Sequence, residues 1–138
     1  MLQLQRASAG SGKTFTLAKK FIWFLIAIKE DGKPWRLRNP REIADGLGRI
    51  LAITFTNKAT NEMKQRIVAK LADLSRAADE PVTPELLASV AYLKDFASDL
   101  DTSPRNIGIA CKAALSALLN DYSAFRVSTI DSFFQSIL

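Results

Sequence analysis

The sequence predicts an α/β protein built on parallel strands with a helical insertion, and three observations predict it. A short alternating stretch, Leu2 to Arg6, changes to a helical period after Gly12. The run ILAITF, Ile50 to Phe55, is continuously apolar and of strand length, as in a strand covered on both faces. A third strand-like stretch, Phe125 to Ile130, returns after two further helical segments. Strand, helix, strand, helix with connections of this size is the pattern of a parallel sheet.

The elements follow in order. Thr14 to about Lys29 reads as a long helix whose face of Leu17, Phe21, Phe24, Leu25 and Ile28 is wide enough to be largely buried. A loop opened by Asp31 and Gly32 carries Lys33, Pro34, Trp35, Arg36, Arg38 and Arg41. Asn39 with Pro40 reads as a cap and first turn, and Gly46 as a stop, so a small helix bridges to the strand at Ile50. From Thr56 or Asn57 as cap, a helix runs to about Ser75 with Met63, Ile67, Leu71 and Leu74 on one side. Residues 76–82 read as a turn region. Thr83 and Pro84 start one helix, with Leu86, Val90, Leu93, Phe96 or Ala97 and Leu100 at heptad-like spacing. Ser103 and Pro104 start another, with Ile107, Cys111, Leu115, Leu118 and Tyr122. After the third strand, Asp131 or Ser132 caps a last helix, Ser132 and Gln135 having capping-box spacing.

Composition narrows the class of molecule. With 138 residues, 48% of them hydrophobic and including eight Phe and two Trp, the chain can fill one ordinary core. An excess of 19 Lys and Arg over 14 Asp and Glu favours a polyanionic partner. One cysteine excludes an internal disulfide framework and suits a reducing, intracellular setting; the absence of histidine excludes the usual zinc ligand sets. FIWFLIAI, 21–28, is far shorter than the roughly 20 residues of a membrane span, and no targeting or anchoring segment is predicted.

ASAGSGKT, residues 7–14, falls between the first predicted strand and helix. Ala7, Gly12, Lys13 and Thr14 meet the pattern of a small residue, four spacers, Gly, Lys and Ser or Thr, with Ala where Gly is commoner. At a strand-to-helix turn, successive amides of Ala7, Ser8, Ala9, Gly10, Ser11, Gly12, Lys13 and Thr14 converge on an anion with the positive helix end. Gly10 and Gly12 remove a Cβ clash, Lys13 would neutralise the β and γ phosphates, and the Thr14 hydroxyl would hold Mg²⁺. Lys13 and Thr14 are therefore the candidate catalytic pair, in a nucleotide-phosphate loop. The bland reading is a Gly and Ser turn with an exposed lysine.

AITFTNKATNEMKQRI, 52–67, resembles motif Ia of the UvrD/Rep-type helicases of superfamily one. VSTIDSFFQSIL, 127–138, looks like their following Thr-x-His-x-Phe motif, and its aromatic-rich helix most resembles the RecB-like and AddA-like branch of helicase-nucleases. With ASAGSGKTFTLA the blocks stand in the family's order and spacing. The resemblance implies an incomplete RecA-like P-loop domain using ATP and Mg²⁺ on single-stranded or duplex DNA in repair and recombination. It implies cytoplasmic location, no membrane, the remainder of a helicase chain, and a nuclease subunit or domain as partners. It divides the chain into 1–75, the P-loop and motif Ia part of the motor; 76–124, a helical insertion; and 125–138, the returning strand and helix.

The resemblance also implies that Phe55, Thr56, Asn57, Lys58 and Thr129 line a DNA-strand path. A strand end beside a helix N-terminus suits a phosphodiester, and Phe55 could stack a base. The alternative is a strand end with a helix cap and Phe55 in the core. Asp131 replaces the family's His and reads as a cap. Trp35 between Arg36 and Arg38 either grips a strand or packs beneath a solvated connection.

Hydrolysis in this class needs an acidic pair on another strand and transition-state arginines. Asp79-Glu80 follows a helix, and no other Asp-Glu pair ends a strand. The family's pattern further places later strands between the first two, which leaves a gap in the sheet's centre. The chain is therefore expected to be an N-terminal piece of a longer helicase, catalytically incomplete alone, or to pair with another copy across exposed strand edges. Rival expectations are a small P-loop kinase and a nucleotide-free interaction module.

Overall fold

The computed structural model describes residues 3–7 and 11–15 as backbone, together with 16–54 and 56–129. The chain runs β1 (Gln3–Ala7), α1 (Ser11–Ile26), β2 (Ala27–Ile28), β3 (Arg36–Leu37), α2 (Pro40–Gly46), a 3-10 turn Leu47–Arg49 and β4 (Ile50–Thr54). It continues with α3 (Asn57–Asp79), α4 (Pro84–Ser89), α5 (Leu93–Asp99), α6 (Pro104–Asn120), a second 3-10 turn Tyr122–Ala124 and β5 (Arg126–Thr129). The last predicted helix and its cap at Asp131 or Ser132 lie outside the described residues.

The main sheet has the order β1-β4-β5 and is parallel throughout, as the alternation of strands and helices predicts. Every residue of β4 is buried, which explains why its sequence is apolar without alternation. The expected central gap is absent: β1 and β4 are direct neighbours from Gln3 opposite Ile50 to Ala7 opposite Thr54. In this chain the two strands satisfy each other's backbone groups, so no unpaired ladder separates them.

Helix α1 buries Leu17, Ala18, Phe21, Ile22, Leu25 and Ile26, whereas Phe24 and Ile28 of the predicted face are only partly buried. It stops at Ile26 instead of continuing to Lys29, because Ala27 and Ile28 pair antiparallel with Leu37 and Arg36. The connection predicted as a loop is thus a small hairpin. Gly32, at φ 75, makes its turn, and the Lys33 amide bonds the Glu30 carbonyl at 3.0 Å. Asn39 caps α2 in a full capping box with Glu42, and Pro40 opens the helix, as expected.

Helix α3 starts at the Thr56 cap and buries Met63, Ile67, Leu71 and Leu74 as predicted. It runs to Asp79, past the predicted end at Ser75. Ala77 is buried under α6, and the Arg76 guanidinium forks onto Glu80 at 2.9 and 3.2 Å, so the last turn has both packing and an ion pair to hold it. Gly108 of α6 meets this turn. A Cβ there would fall 2.7 Å from the Ala77 carbonyl carbon and still closer to the Ala78 nitrogen, so the two long helices touch through backbone.

The predicted single helix from Pro84 through Leu100 is broken into α4 and α5. Tyr92 adopts a left-handed φ of 73, which no helix interior can hold. The break puts the buried Tyr92 ring against Phe96 and sets Phe96 against Trp23 of α1, while Leu86, Val90, Leu93 and Leu100 stay in the core. In α6, Ile107, Cys111 and Leu118 are buried and Leu115 partly so; Tyr122 lies beyond the helix end and is half exposed. Helices α4 to α6 share one continuous core with α1, α3 and the sheet.

Candidate functional site

Parallel strands bring their C-terminal ends to one edge, where Ala7 and Thr129, two of the residues singled out in the sequence, flank Thr54. Ala7 stands opposite Thr54, and Thr54 opposite Thr129. Helix α1 opens from the first of these strands, with Ser11, Gly12, Lys13 and Thr14 forming its first turn; α3 opens from the second, with Asn57 and Lys58 in its own. Ser8, Ala9, Gly10 and Phe55 lie outside the described residues. Neither helix carries an acidic residue in its first turn, so no carboxylate competes with an incoming anion for the free amides. A strand followed by a helix start without an acidic residue is an arrangement in which a phosphate can be held, and Lys13 and Thr14, in the first turn of α1, are the candidates for phosphate and Mg²⁺.

Thr56 is the cap of α3. Its hydroxyl accepts from the Ala59 amide at 3.0 Å, which is the structural half of the two readings for this segment. Asn57 and Lys58 are exposed, and Lys58 makes only a loose contact, 4.0 Å, to Glu62. The outward-facing pair therefore remains available to a ligand while Thr56 is committed to the helix. Thr129 is half-buried at the end of β5.

Two residues beside the candidate site escape sequence reasoning. Thr54 is the one polar residue buried in the described core, at 1% exposure, and its hydroxyl meets Thr60 Oγ1, the Thr56 carbonyl and, at 3.4 Å, the Ser128 carbonyl. Thr60 in turn donates to the Thr56 carbonyl at 3.2 Å. Together they tie the end of β4 to the first turn of α3 and to β5. The i, i+4 spacing of Thr56 and Thr60 is the local signal that could have found the pair.

The Trp35 segment divides. Arg36 forks onto Glu42 at 2.9 and 2.7 Å and reaches Glu30 at 2.9 Å, so its charge is spent inside the hairpin. Its hydrogen bonds, with the Asn39 amide, hold the Glu42 carboxyl down at about 2. Trp35 packs on Trp23 and Phe24 with ring centres 5.5 and 6.1 Å apart, keeping about a third of its surface exposed. Asp79 and Glu80 are engaged by Lys112 and Arg76, and no metal-binding group of acids or cysteine occurs among the described residues. No helix among them is long and apolar enough to cross a membrane.

Residues 4–138 match the family model described as the UvrD/REP helicase N-terminal domain. The chain is similar to the RecBCD enzyme subunit RecB of Chlamydia trachomatis, 32% identical over 125 residues, which are 88% of this chain and 10% of that protein. It is similar to ATP-dependent DNA helicase UvrD1 of Mycobacterium bovis, 39% identical over 70 residues, 51% of this chain and 7% of that protein. To an ATP-dependent helicase/nuclease subunit of Clostridium novyi it is 42% identical over 64 residues, 46% of this chain and 4% of that one. The chain thus spans a tenth or less of the length of these relatives. No solved structure is significantly similar to it.

Proposed function

The chain belongs to the UvrD/REP helicase family, in the part that forms its N-terminal domain, and from that premise we propose that it is the ATP-binding N-terminal segment of a RecB-like, cytoplasmic DNA helicase of repair and recombination. The observation that supports this most is the row Ala7, Thr54, Thr129, which sets the starts of α1 and α3 side by side at one sheet edge. In this reading the amides of Ala7 to Thr14 wrap the triphosphate, Lys13 neutralises it and Thr14 holds Mg²⁺. Bound Mg²⁺ and ATP supply a hydrolysable phosphoanhydride; the chain's own part is to cradle and orient it. Phe55, Asn57, Lys58 and Thr129 follow a DNA strand, and Thr56 fixes the helix start that presents Asn57 and Lys58.

Cleavage is assigned to residues of a longer helicase, with 76–124 as a helical insertion and a nuclease subunit or domain as further partner. A metabolite kinase would need lid arginines, and Arg105, the single arginine between 77 and 125, instead donates to the Ala78 carbonyl at 2.9 Å.

Binding of a fluorescent ATP analogue to this chain, lost in Lys13→Ala with the circular dichroism unchanged, tests the cradle. Oligothymidylate affinity, lowered in Lys58→Ala, tests the strand path. DNA-stimulated ATP hydrolysis by the 138-residue chain would refute its incompleteness.

A further inference from the structure

At the opposite end of β4 from the phosphate loop, a cavity of about 240 Å³ is lined by Phe24, Trp35, Lys29, Arg38, Arg49 and Ile50, among others. Three cations line it and no carboxylate does. Glu30 of the hairpin and Glu42 of α2 are both turned onto Arg36, and Glu42 also accepts from the Asn39 amide. Lys29 and Arg49 are exposed, and neither has a carboxylate within 4.0 Å among the described residues.

Arg38 is built into the wall. Its Nε donates to the Ala27 carbonyl at 3.0 Å and its Nη1 to the Glu42 carbonyl at 3.3 Å, with no acid bonded to it. Gly46 makes room: a Cβ there would fall 2.8 Å from Nη1 and 3.1 Å from Cζ. Burial above all, with repulsion from Arg49 and Arg36 against the opposing pull of Glu42, lowers the affinity of Arg38 for its proton. A half-buried guanidinium with no carboxylate bonded to it is costly, and an anion in the cavity would relieve it.

The remaining wall is aromatic, which sorts the anions. The volume is below the roughly 300 Å³ at which small-molecule pockets begin, too small for a nucleoside triphosphate and suited to one phosphate with part of a sugar or base. Trp35, a third exposed, lines the same cavity as the cations, and an aromatic ring with basic side chains is the pairing by which single strands are held. We infer that this cavity is a second nucleic-acid site, holding one phosphodiester of a single strand between Lys29, Arg38 and Arg49 with the adjoining base against Trp35. It shares with the function proposed above only the class of partner.

The test is fluorescence anisotropy of labelled oligothymidylate against this chain over a range of salt. The double variant Lys29→Ala/Arg49→Ala changes exposed side chains and leaves the wall residue Arg38 in place. Its affinity is expected to fall about tenfold, and its log–log salt slope to shrink by about 0.7, the value for the one phosphate charge no longer neutralised. Lys20→Ala/Lys94→Ala, removing the same charge elsewhere, is expected to lose less than threefold. An unchanged slope, an equal loss in that control, or equal competition by polyglutamate, which would make the ligand an acidic peptide, overturns the site. Lys58→Ala run in parallel keeps the readings apart: its silence sinks the strand path at α3 and leaves this cavity standing.

Discussion

The Thr54 and Thr60 hydroxyls meet across the buried junction of β4 and α3, and each also contacts the Thr56 carbonyl. A hydrogen bond inside a buried network contributes about 1 kcal/mol net, and leaving one partner unsatisfied costs about 1 to 3 kcal/mol. Thr54→Val is expected to destabilise by about 1 to 2 kcal/mol in urea unfolding. Combined with Thr60→Val it should show a coupling of about 0.5 kcal/mol or more. Simple additivity would mean the two hydroxyls act independently.

Gly108→Ala tests backbone contact between α3 and α6. In an exposed helix the change would stabilise by up to about 1 kcal/mol. Here the new methyl meets the Ala77–Ala78 peptide, and a loss of about 1 to 3 kcal/mol is expected. Gly48, with nothing within 4 Å of its would-be Cβ, is the control: Gly48→Ala should leave the melting temperature within a degree or two.

Thr56 and Lys58 separate a cap from a contact. Thr56→Ala should cost about 1 kcal/mol of stability through the lost Ala59 bond. Lys58→Ala should leave the urea midpoint unchanged, its side chain being 86% exposed, and act on oligonucleotide affinity alone.

Acid should weaken the hairpin through Glu42. Its carboxyl titrates at about 2 in the folded chain against an ordinary 4.5, so its contribution is complete above about 4.5 and disappears as the pH falls toward 2. The stability gap between the native chain and Glu42→Gln should therefore be present at pH 6 and shrink at pH 3. Because the pair is solvent-accessible, the gap at pH 6 should stay within about 1 kcal/mol. A gap independent of pH would show that the Arg36 fork contributes nothing.

What was legible in the sequence was what is decided locally. Asn39, Thr56, Thr83 and Ser103 announce their helices because a cap is a contact within three residues. The buried strand at Ile50 declares itself by unbroken apolarity. The β2–β3 ladder spans two residue pairs, too few to show a period, so the hairpin read as a loop. The break at Tyr92 was hidden because its apolar neighbours keep helical spacing; only the ring's burial against Phe96, a tertiary gain, favours the left-handed residue. At the candidate site, the placement of the two helix starts followed from motif order, whereas the Thr54 network and the cationic cavity depend on how strands align and on which arginine the acids choose. Composition carries no trace of that choice.

The contact of α6 with α3 through Gly108 also sets an order of assembly. Those helices meet across a shorter stretch of intervening chain than β1 needs to reach β4, or β4 to reach β5, and shorter loops close at lower entropic cost. The helical half can therefore cohere before the strands align. The edge bearing Ala7, Thr54 and Thr129 is then the last region to zip and the first to come undone under stress, and its amides should exchange with deuterium sooner than those of α3.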